Sequence, residues 1–401
     1  MDLSYGHEIE RFRAEVRDFI EQNRDRAPRG QGVMGGRASA AMLAWQTLLL
    51  ERGYAARSVP REYGGYGGEP DLVKTIIVGE EFSRAGVSAG VSGPGVDMLV
   101  PTLLEHGSED QKKRFVTPTL RGEIVWCQGY SEPGSGSDLA SLQTSGVADG
   151  DDFVINGQKI WTSSAHIADM MFALVRTEPE ARRHAGISYV LIPMDAPGIE
   201  VRPLRGMTGD SEFNQVFFSD VRVPRSNIVG RRGEGWEIAH TTLKHERQVA
   251  GNPRELESTL QSLIALMETE TCNGVRAIDN PLFRERLMRA QARVLSLKYH
   301  AMRLLTCELR GESPGVAELV VKLRACELMQ QMAALGLDAM GELGVLYDGS
   351  KYERGAGSWP SEYMTWTGFI IAGGTAQIQK NIISERGLGL PREPRVPSKR
   401  A

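Results

Sequence analysis

The hydrophobic period of this chain changes twice, and that order limits the fold more than any other feature. Up to about residue 120, apolar residues recur every three to four positions, as buried helix faces require. Ile9, Phe12, Val16, Phe19 and Ile20 share one such face, and residues 40–52, 71–84 and 97–120 repeat the pattern between Gly/Pro-rich loops. From about 123 the period becomes two. Asp149-Gly150 and Asn156-Gly157 are hairpin-turn signals, and the run 213–223 alternates towards Pro224. After about 233 helical spacing returns over 234–251, 255–272, 282–311, 316–339 and 361–386, with Gly336, Gly341 and Gly344 marking the break before the last. Helices, then strands, then helices imply segregated layers, not a doubly wound sheet. The expected fold is α+β and multidomain: an N-terminal all-α domain (1–122), a middle β barrel or sandwich (123–230) and a C-terminal four-helix bundle (231–401).

Bulk properties exclude several function classes. With 401 residues the chain has ample core for about two to three domains. A formal charge of -4 leaves no basic footprint for nucleic acid. No apolar run approaches the roughly 18 residues of a membrane span, and the N-terminal stretch lacks a basic region followed by an apolar one. Cys127, Cys272, Cys307 and Cys326 show no CxxC spacing, and no HExxH occurs, so free thiols in a reducing bacterial cytoplasm are expected and a metal site is not. There is neither a G-x-G-x-x-G after a strand nor a P-loop, so a nucleotide cofactor would not sit in a Rossmann fold.

The chemistry concentrates in Cys127-Gln-Gly-Tyr-Ser-Glu-Pro-Gly-Ser-Gly-Ser-Asp138 and in Asn156-Gly-Gln-Lys-Ile-Trp-Thr-Ser163. Gly134 and Gly136 allow backbone N–H groups to approach a ligand. Ser131, Ser135 and Ser137 offer hydroxyls. Trp161 supplies a flat face with Thr162 and Ser163 as polar neighbours. That set suits a planar, hydrogen-bonding ring; the alternative is a Gly/Ser turn between strands.

These tracts resemble the flavin-binding middle segment of the acyl-CoA dehydrogenase family. Further matches, in the family's order, are Pro60-Arg-Glu-Tyr-Gly-Gly65, His106-Gly-Ser-Glu-Asp-Gln-Lys-Lys-Arg114, Phe213-Asn-Gln-Val-Phe-Phe-Ser-Asp-Val-Arg-Val-Pro224 and Gly373-Gly-Thr-Ala-Gln-Ile-Gln-Lys-Asn-Ile-Ile383. The resemblance implies FAD held between the β domain and the C-terminal helices. Its ring contacts would be the backbone at Gln128 and Tyr130, the Ser131 and Ser137 hydroxyls with Gly136 between them, and the Trp161 face. Ser163 would lie near N5, and Thr375 and Gln377 would hold the ADP half. Polar decoration of a helix N-terminus is the other reading of Thr375 and Gln377. The implied partners are an acyl-CoA substrate and an electron-transfer flavoprotein, and the implied assembly is a homodimer or homotetramer.

Removing an α-proton beside a thioester needs a carboxylate in a dry pocket, because burial makes a Glu a better base. In several branches of the family that Glu immediately precedes the C-terminal Gly-Thr. Here the position is Gly373, so the usual base is absent. The long-chain and isovaleryl-CoA branches place it before an Arg on the first long C-terminal helix, and Glu246-Arg247 stands there. Trp236, Ala239, Leu243, Glu246 and Ala250 recur at spacings of three and four, which puts Glu246 on an apolar face. The competing reading is an exposed Glu in the Lys244–Arg247 charge cluster. The resemblance further implies that the Gly373 N–H stabilises the thioester oxyanion, that Arg247 meets the pantetheine arm or anchors its helix (a surface salt bridge is its other reading), and that Ser137 touches substrate.

Three departures stand out. The family's Arg-x-x-Phe-Gly element is missing from Cys272-Asn-Gly-Val-Arg-Ala-Ile-Asp-Asn-Pro281. Its Gln-x-x-Gly-Gly-x-Gly element appears as Asp338-Ala-Met-Gly-Glu-Leu-Gly344, and Lys244 stands where an Asp is usual. Two alternatives therefore accompany the dehydrogenase reading: a non-catalytic subunit of a hetero-oligomer, and an oxidase or monooxygenase on the same fold.

Overall fold

A computed structural model of the chain describes residues 6–28, 36–181, 183–249, 253–347, 350–353 and 358–392, the side chains of 247–249 and 308 excepted. The chain divides into two compact units, Met1–Glu246 and Arg247–Ala401.

The first unit opens with α1 (His7–Gln22), α2 (Ala40–Arg52), α3 (Leu72–Ala85), α4 (Val100–His106) and α5 (Glu109–Leu120). The apolar stripe of α1 buries Val16, Phe19 and Ile20 with Trp45 of α2 and Phe82 of α3. Arg13 and Arg17 reach across to buried Glu81 of α3, each at 2.7 Å. The helix expected over 97–120 is broken. A π-helical turn, Pro94–Leu99, precedes α4, and Ser108 starts α5 through a reciprocal capping box with Gln111. That local pairing satisfies two helix-end donors, so a new helix begins where the apolar spacing alone suggested continuity.

The strands are β1 (Trp126–Gly129), β2 (Ser145–Asp149), β3 (Asp152–Ser163), β4 (Met170–Arg176), β5 (Ile187–Pro193), β6 (Ile199–Leu204), β7 (Phe213–Pro224) and β8 (Ile228–Val229). They form one mixed sheet ordered β6-β7-β3-β2-β4-β5-β8, with β1 parallel to β4. Among the described residues β6 and β8 do not pair, so the sheet is not a closed barrel. It coils instead around a core drawn from Phe153, Ile155, Val216 and Val221 on β3 and β7 and Met171, Ala173, Val190 and Ile192 on β4 and β5. The opposite face of β4 and β5 (Phe172, Leu174, Tyr189, Leu191) packs with Leu99, Leu103, Phe115 and Leu120 of the helices. Both faces of these two strands are thus buried, and each large aliphatic or Phe side chain among them contributes about 1.5–3 kcal/mol. Asp149-Gly150 does turn a hairpin, with Gly150 at φ +59 and Asp149 opposite Asp152.

Asn156-Gly157 does not turn the chain. It lies inside β3 at a register shift against β7, with Gly157 at φ +142 and Asn156 bonded to Asp220. A glycine bulge and a glycine turn carry the same dipeptide signal, and the β3–β7 pairing decides between them.

Helix α6 (Gly235–Val249) leaves the sheet. The second unit contains α7 (Pro253–Thr269), a small hairpin of β9 (Thr271–Cys272) and β10 (Val275–Arg276), then α8 (Pro281–Leu309), α9 (Ala317–Met340), α10 (Ser358–Phe369) and α11 (Ala376–Ile382). Helix α9 is its centre. It buries residues over most of its circumference, including Met329, Met332 and Leu335, against α7, α8 and α10, and leaves one exposed stripe at Arg324, Gln331 and Asp338. Gly336 is not a helix break. A Cβ there would lie 2.5 Å from the Trp359 ring of α10, so the glycine permits close approach of two helices. The stop comes at Gly341, with φ +57. The helix expected over 361–386 is likewise two, separated by Gly373 (φ +56) and Gly374 (φ +94). Among the described residues all four cysteines are free thiols, and none of the described helices is long and apolar enough to cross a membrane.

Candidate active site

Strand alternation sets the site. Along β1, Trp126, Gln128 and Tyr130 point to the helix-packed face of the sheet, and Cys127 points into the sheet's own core. Gln128 is half-buried, and its Nε2 donates to Glu246 Oε2 on α6 at 3.4 Å. Residues 118 positions apart in the sequence are therefore neighbours. Helix α6 is held against α4 by two polar contacts, Thr102 with Thr242 at 3.0 Å and His106 with Thr241 at 2.9 Å. Its inward face carries Ile238, Ala239 and Thr242, with Trp236 and Leu243 half-buried beside them. Glu246 lies at the end of this face and is half-buried. Ala250 and the Arg247 side chain lie outside the described residues.

The Tyr130 ring is buried edge-on to Phe172 and Tyr189 (centroids 6.0 and 6.3 Å). Burial foremost, with neighbouring Tyr189 adding to it, holds its phenol well above the ordinary tyrosine range, so it is neutral at any physiological pH. The loop after it divides its serines by role. Ser135 is buried, donating to the carbonyls of Asp138 and Leu139, and so shapes the loop. Ser131 is half-buried and Ser137 exposed, beside Gly134 and Gly136, where an added Cβ would meet only open space. Glu132 is buried in an ion pair with Lys159 and accepts the Gln143 and Thr144 backbone N–H groups. No distinct sequence signal marks this structural role.

A second bulge, between Lys159 and Thr162 of β3, turns Trp161 away from the sheet. Its φ of +61 is unusual for a bulky residue, and its side chain is 62 % exposed, edge-on to Phe213 at 6.1 Å. Bulges re-aim side chains at functional sites, and a non-glycine residue at positive φ is a strain its surroundings must impose. Next to it Thr162 is fully buried, and its hydroxyl has no hydrogen-bond partner. Ser163 is half-buried opposite Phe213.

In the second unit Gly373 and Gly374 form the turn between α10 and α11. Thr375 caps α11, its side chain accepting from the Ile378 N–H at 3.2 Å, and Gln377 is exposed on that helix. The departures noted in the sequence have structural partners. Arg276 pairs with Asp279 at 2.7 Å, three residues on, and Asp338 pairs with Arg286 of α8 at 2.6 Å.

Comparison with known proteins gives three consecutive matches: the N-terminal domain of acyl-CoA dehydrogenase over 6–123, its middle domain over 127–221 and its C-terminal domain over 233–388. The chain belongs to the acyl-CoA dehydrogenase family. Acyl-CoA dehydrogenase IpdE1 of Mycobacterium tuberculosis is 38 % identical over 395 residues, covering 96 % of this chain and 99 % of that protein. Two solved structures, each 30 % identical and covering 98 % of this chain and all of theirs, are similar throughout: the Tcur3481-Tcur3483 steroid ACAD (TM-score 0.81) and the ChsE4-ChsE5 complex from Mycobacterium tuberculosis (TM-score 0.80). The protein is thus an oxidoreductase of a flavin-dependent family. Its residues fit the ring of such a group: the open aromatic face of Trp161 and the uncrowded rim at Gly134 and Gly136 leave a surface that a planar ring can cover.

Proposed function

We propose that the dehydrogenase removes the α-proton of an acyl-CoA thioester with Glu246 while the β-hydrogen leaves as hydride, giving a trans-2-enoyl-CoA. The observation that carries this reading is the 3.4 Å contact of Glu246 with Gln128, which brings a carboxylate to the strand bearing the cofactor motif. A carboxylate on a largely apolar helix face is costly to bury unless paired or functional. The cofactor we infer is FAD, contacted by Gln128, Tyr130, Ser131, Gly136, Ser137, Trp161 and Ser163 in the sheet and by Thr375 and Gln377 on the ADP side. When bound, it supplies the hydride acceptor that no protein side chain provides. Gly373 offers a backbone N–H to the thioester oxygen, and Ser137 and Arg247 are assigned to substrate. The acceptor of the electrons is proposed to be an electron-transfer flavoprotein.

The test is Glu246→Gln, which keeps shape and removes the base. Turnover should fall by about 10²–10⁴-fold with flavin still bound; dehydrogenation at the wild-type rate would eliminate the assignment.

For the acyl group and the assembly, we infer a bulky, steroid-type thioester handled by a hetero-oligomer. The similar structures named as a steroid ACAD and as a two-protein complex support this over a homo-oligomer. Expressing the chain alone and with a second acyl-CoA dehydrogenase chain, then measuring mass and flavin content, separates the two. A flavin-replete homotetramer from the single chain would reject the hetero-oligomer.

A further inference from the structure

The turn carrying Gly373 is tied from beneath by two buried side chains. Lys322 of α9 is 3 % exposed, and its Nζ donates to the Gly374 carbonyl at 2.9 Å and the Ile370 carbonyl at 3.2 Å. Gln379 of α11 is 2 % exposed, and its Nε2 donates to the Gly373 carbonyl at 3.4 Å. Carbonyls on both sides of Ile371–Gly373 are thus drawn towards the interior, whereas Ile371 and Ala372 face solvent.

Peptide planarity turns that anchoring into control of the N–H groups. Within each peptide unit the C=O and N–H point in opposite directions, so the anchored carbonyls fix the N–H groups of Ile371, Gly374 and Thr375, and the Ala372–Gly373 unit that carries the Gly373 N–H is clamped between these fixed planes. Gly373 at φ +56 and Gly374 at φ +94 occupy conformations that glycine adopts without strain and from which it escapes as readily. A diglycine turn is the segment least able to hold its own orientation. A buried ammonium that bridges two carbonyls across it supplies the missing rigidity. Lys322 also places a cation at the carbonyl end of α10, where the helix dipole favours one.

We propose that Lys322 is a positioning residue for the Gly373 backbone N–H, with Gln379 as its auxiliary, so that this N–H is preorganised towards the thioester oxygen. The inference rests on Gly373 serving as oxyanion donor in the reading above. Lys322 does not touch substrate; it acts through the turn.

The experiment uses the flavin-loaded protein with any subunit that co-purifies. Acetoacetyl-CoA is the probe, because its bound enolate gives a long-wavelength band with oxidised flavin. Lys322→Met keeps the aliphatic stem and removes the donors. One oxyanion-hole donor is worth about 10²–10³ in kcat; misaiming rather than deleting it should weaken enolate formation and kcat by roughly tenfold, with KM changed less than about threefold. Lys322→Arg, which still donates to carbonyls, should recover most of both. An unchanged enolate band per bound flavin in Lys322→Met, with only Tm or flavin content lowered, overturns the proposal and leaves a structural lysine. No band from the wild-type protein instead overturns the underlying reading of Gly373, and the proposal with it. Should Lys322→Met fail to fold, Gln379→Leu decides: a weakened band supports the tether, and a wild-type band refutes it.

Discussion

Lys159 and Glu132, the charged residues of two separate motif tracts, meet as a buried ion pair at 2.9 Å, with the Lys159 ammonium also donating to the Tyr130 carbonyl at 3.1 Å. This pair fastens β3 to the loop after β1, the two segments that carry the proposed ring contacts. Removing one partner strands the other charge in the interior, which typically costs about 3–5 kcal/mol, whereas replacing both by neutral groups costs far less. Glu132→Gln and Lys159→Met should each lower the urea midpoint strongly and reduce flavin retention, and the double variant should recover part of the loss. Additive losses in the three variants would show that the two charges do not depend on each other.

On the reading of Glu246 as base, Gln128 orients it. The Gln128 amide donates to the carboxylate at 3.4 Å, and holding a reacting group in place removes part of the barrier. Gln128→Leu should lower kcat by about tenfold with KM changed less. An unchanged kcat would remove Gln128 from that role.

The α9–α10 crossing depends on a missing side chain. A Cβ at Gly336 would sit 2.5 Å from the Trp359 ring, and a buried indole cannot yield that distance without moving its helix. Overpacking of this kind costs about 1–3 kcal/mol, although Ala is the better helix former. Thermal unfolding of Gly336→Ala should therefore show a lower Tm; an equal or higher one would mean the crossing adapts freely.

Stability should be lost on the acid side. Burial alone would raise Glu81, but Arg17 and Arg13 outweigh it and hold its carboxyl below the ordinary 4.5. Glu132 is likewise lowered, its burial overcome by the charge of Lys159 and by hydrogen bonds. Asp169 is held below 3.8 by Arg37 and the Val125 N–H in spite of burial. A carboxylate with a depressed folded value contributes stability above its unfolded value and loses it as pH falls through the folded one. Tm should thus be nearly flat above about pH 5 and fall as pH drops below about 4. Glu81→Gln should flatten part of that descent, and an unaltered slope would assign the acid sensitivity elsewhere.

Much of this protein was legible in its sequence because the signals are local. The change of hydrophobic period places helices, sheet and helices in order, since burying one face of a helix or strand demands a fixed spacing. The motif tracts identify the family, and the spacing of Trp236, Ala239, Leu243 and Glu246 puts the carboxylate on one side of α6. Tertiary structure decided what spacing leaves open. Asn156-Gly157 is a bulge because β3 continues along β7. Gly336 is a helix interior because Trp359 rests on it, and Ser108 starts a helix because Gln111 completes its cap. Trp161 faces outward because a second bulge reverses the alternation that would have turned it in. Above all, that Gln128 meets Glu246, and that Lys322 reaches the carbonyls beside Gly373, depends on segments distant in the chain being packed together. Such contacts carry no sequence period, so only the folded chain could show them.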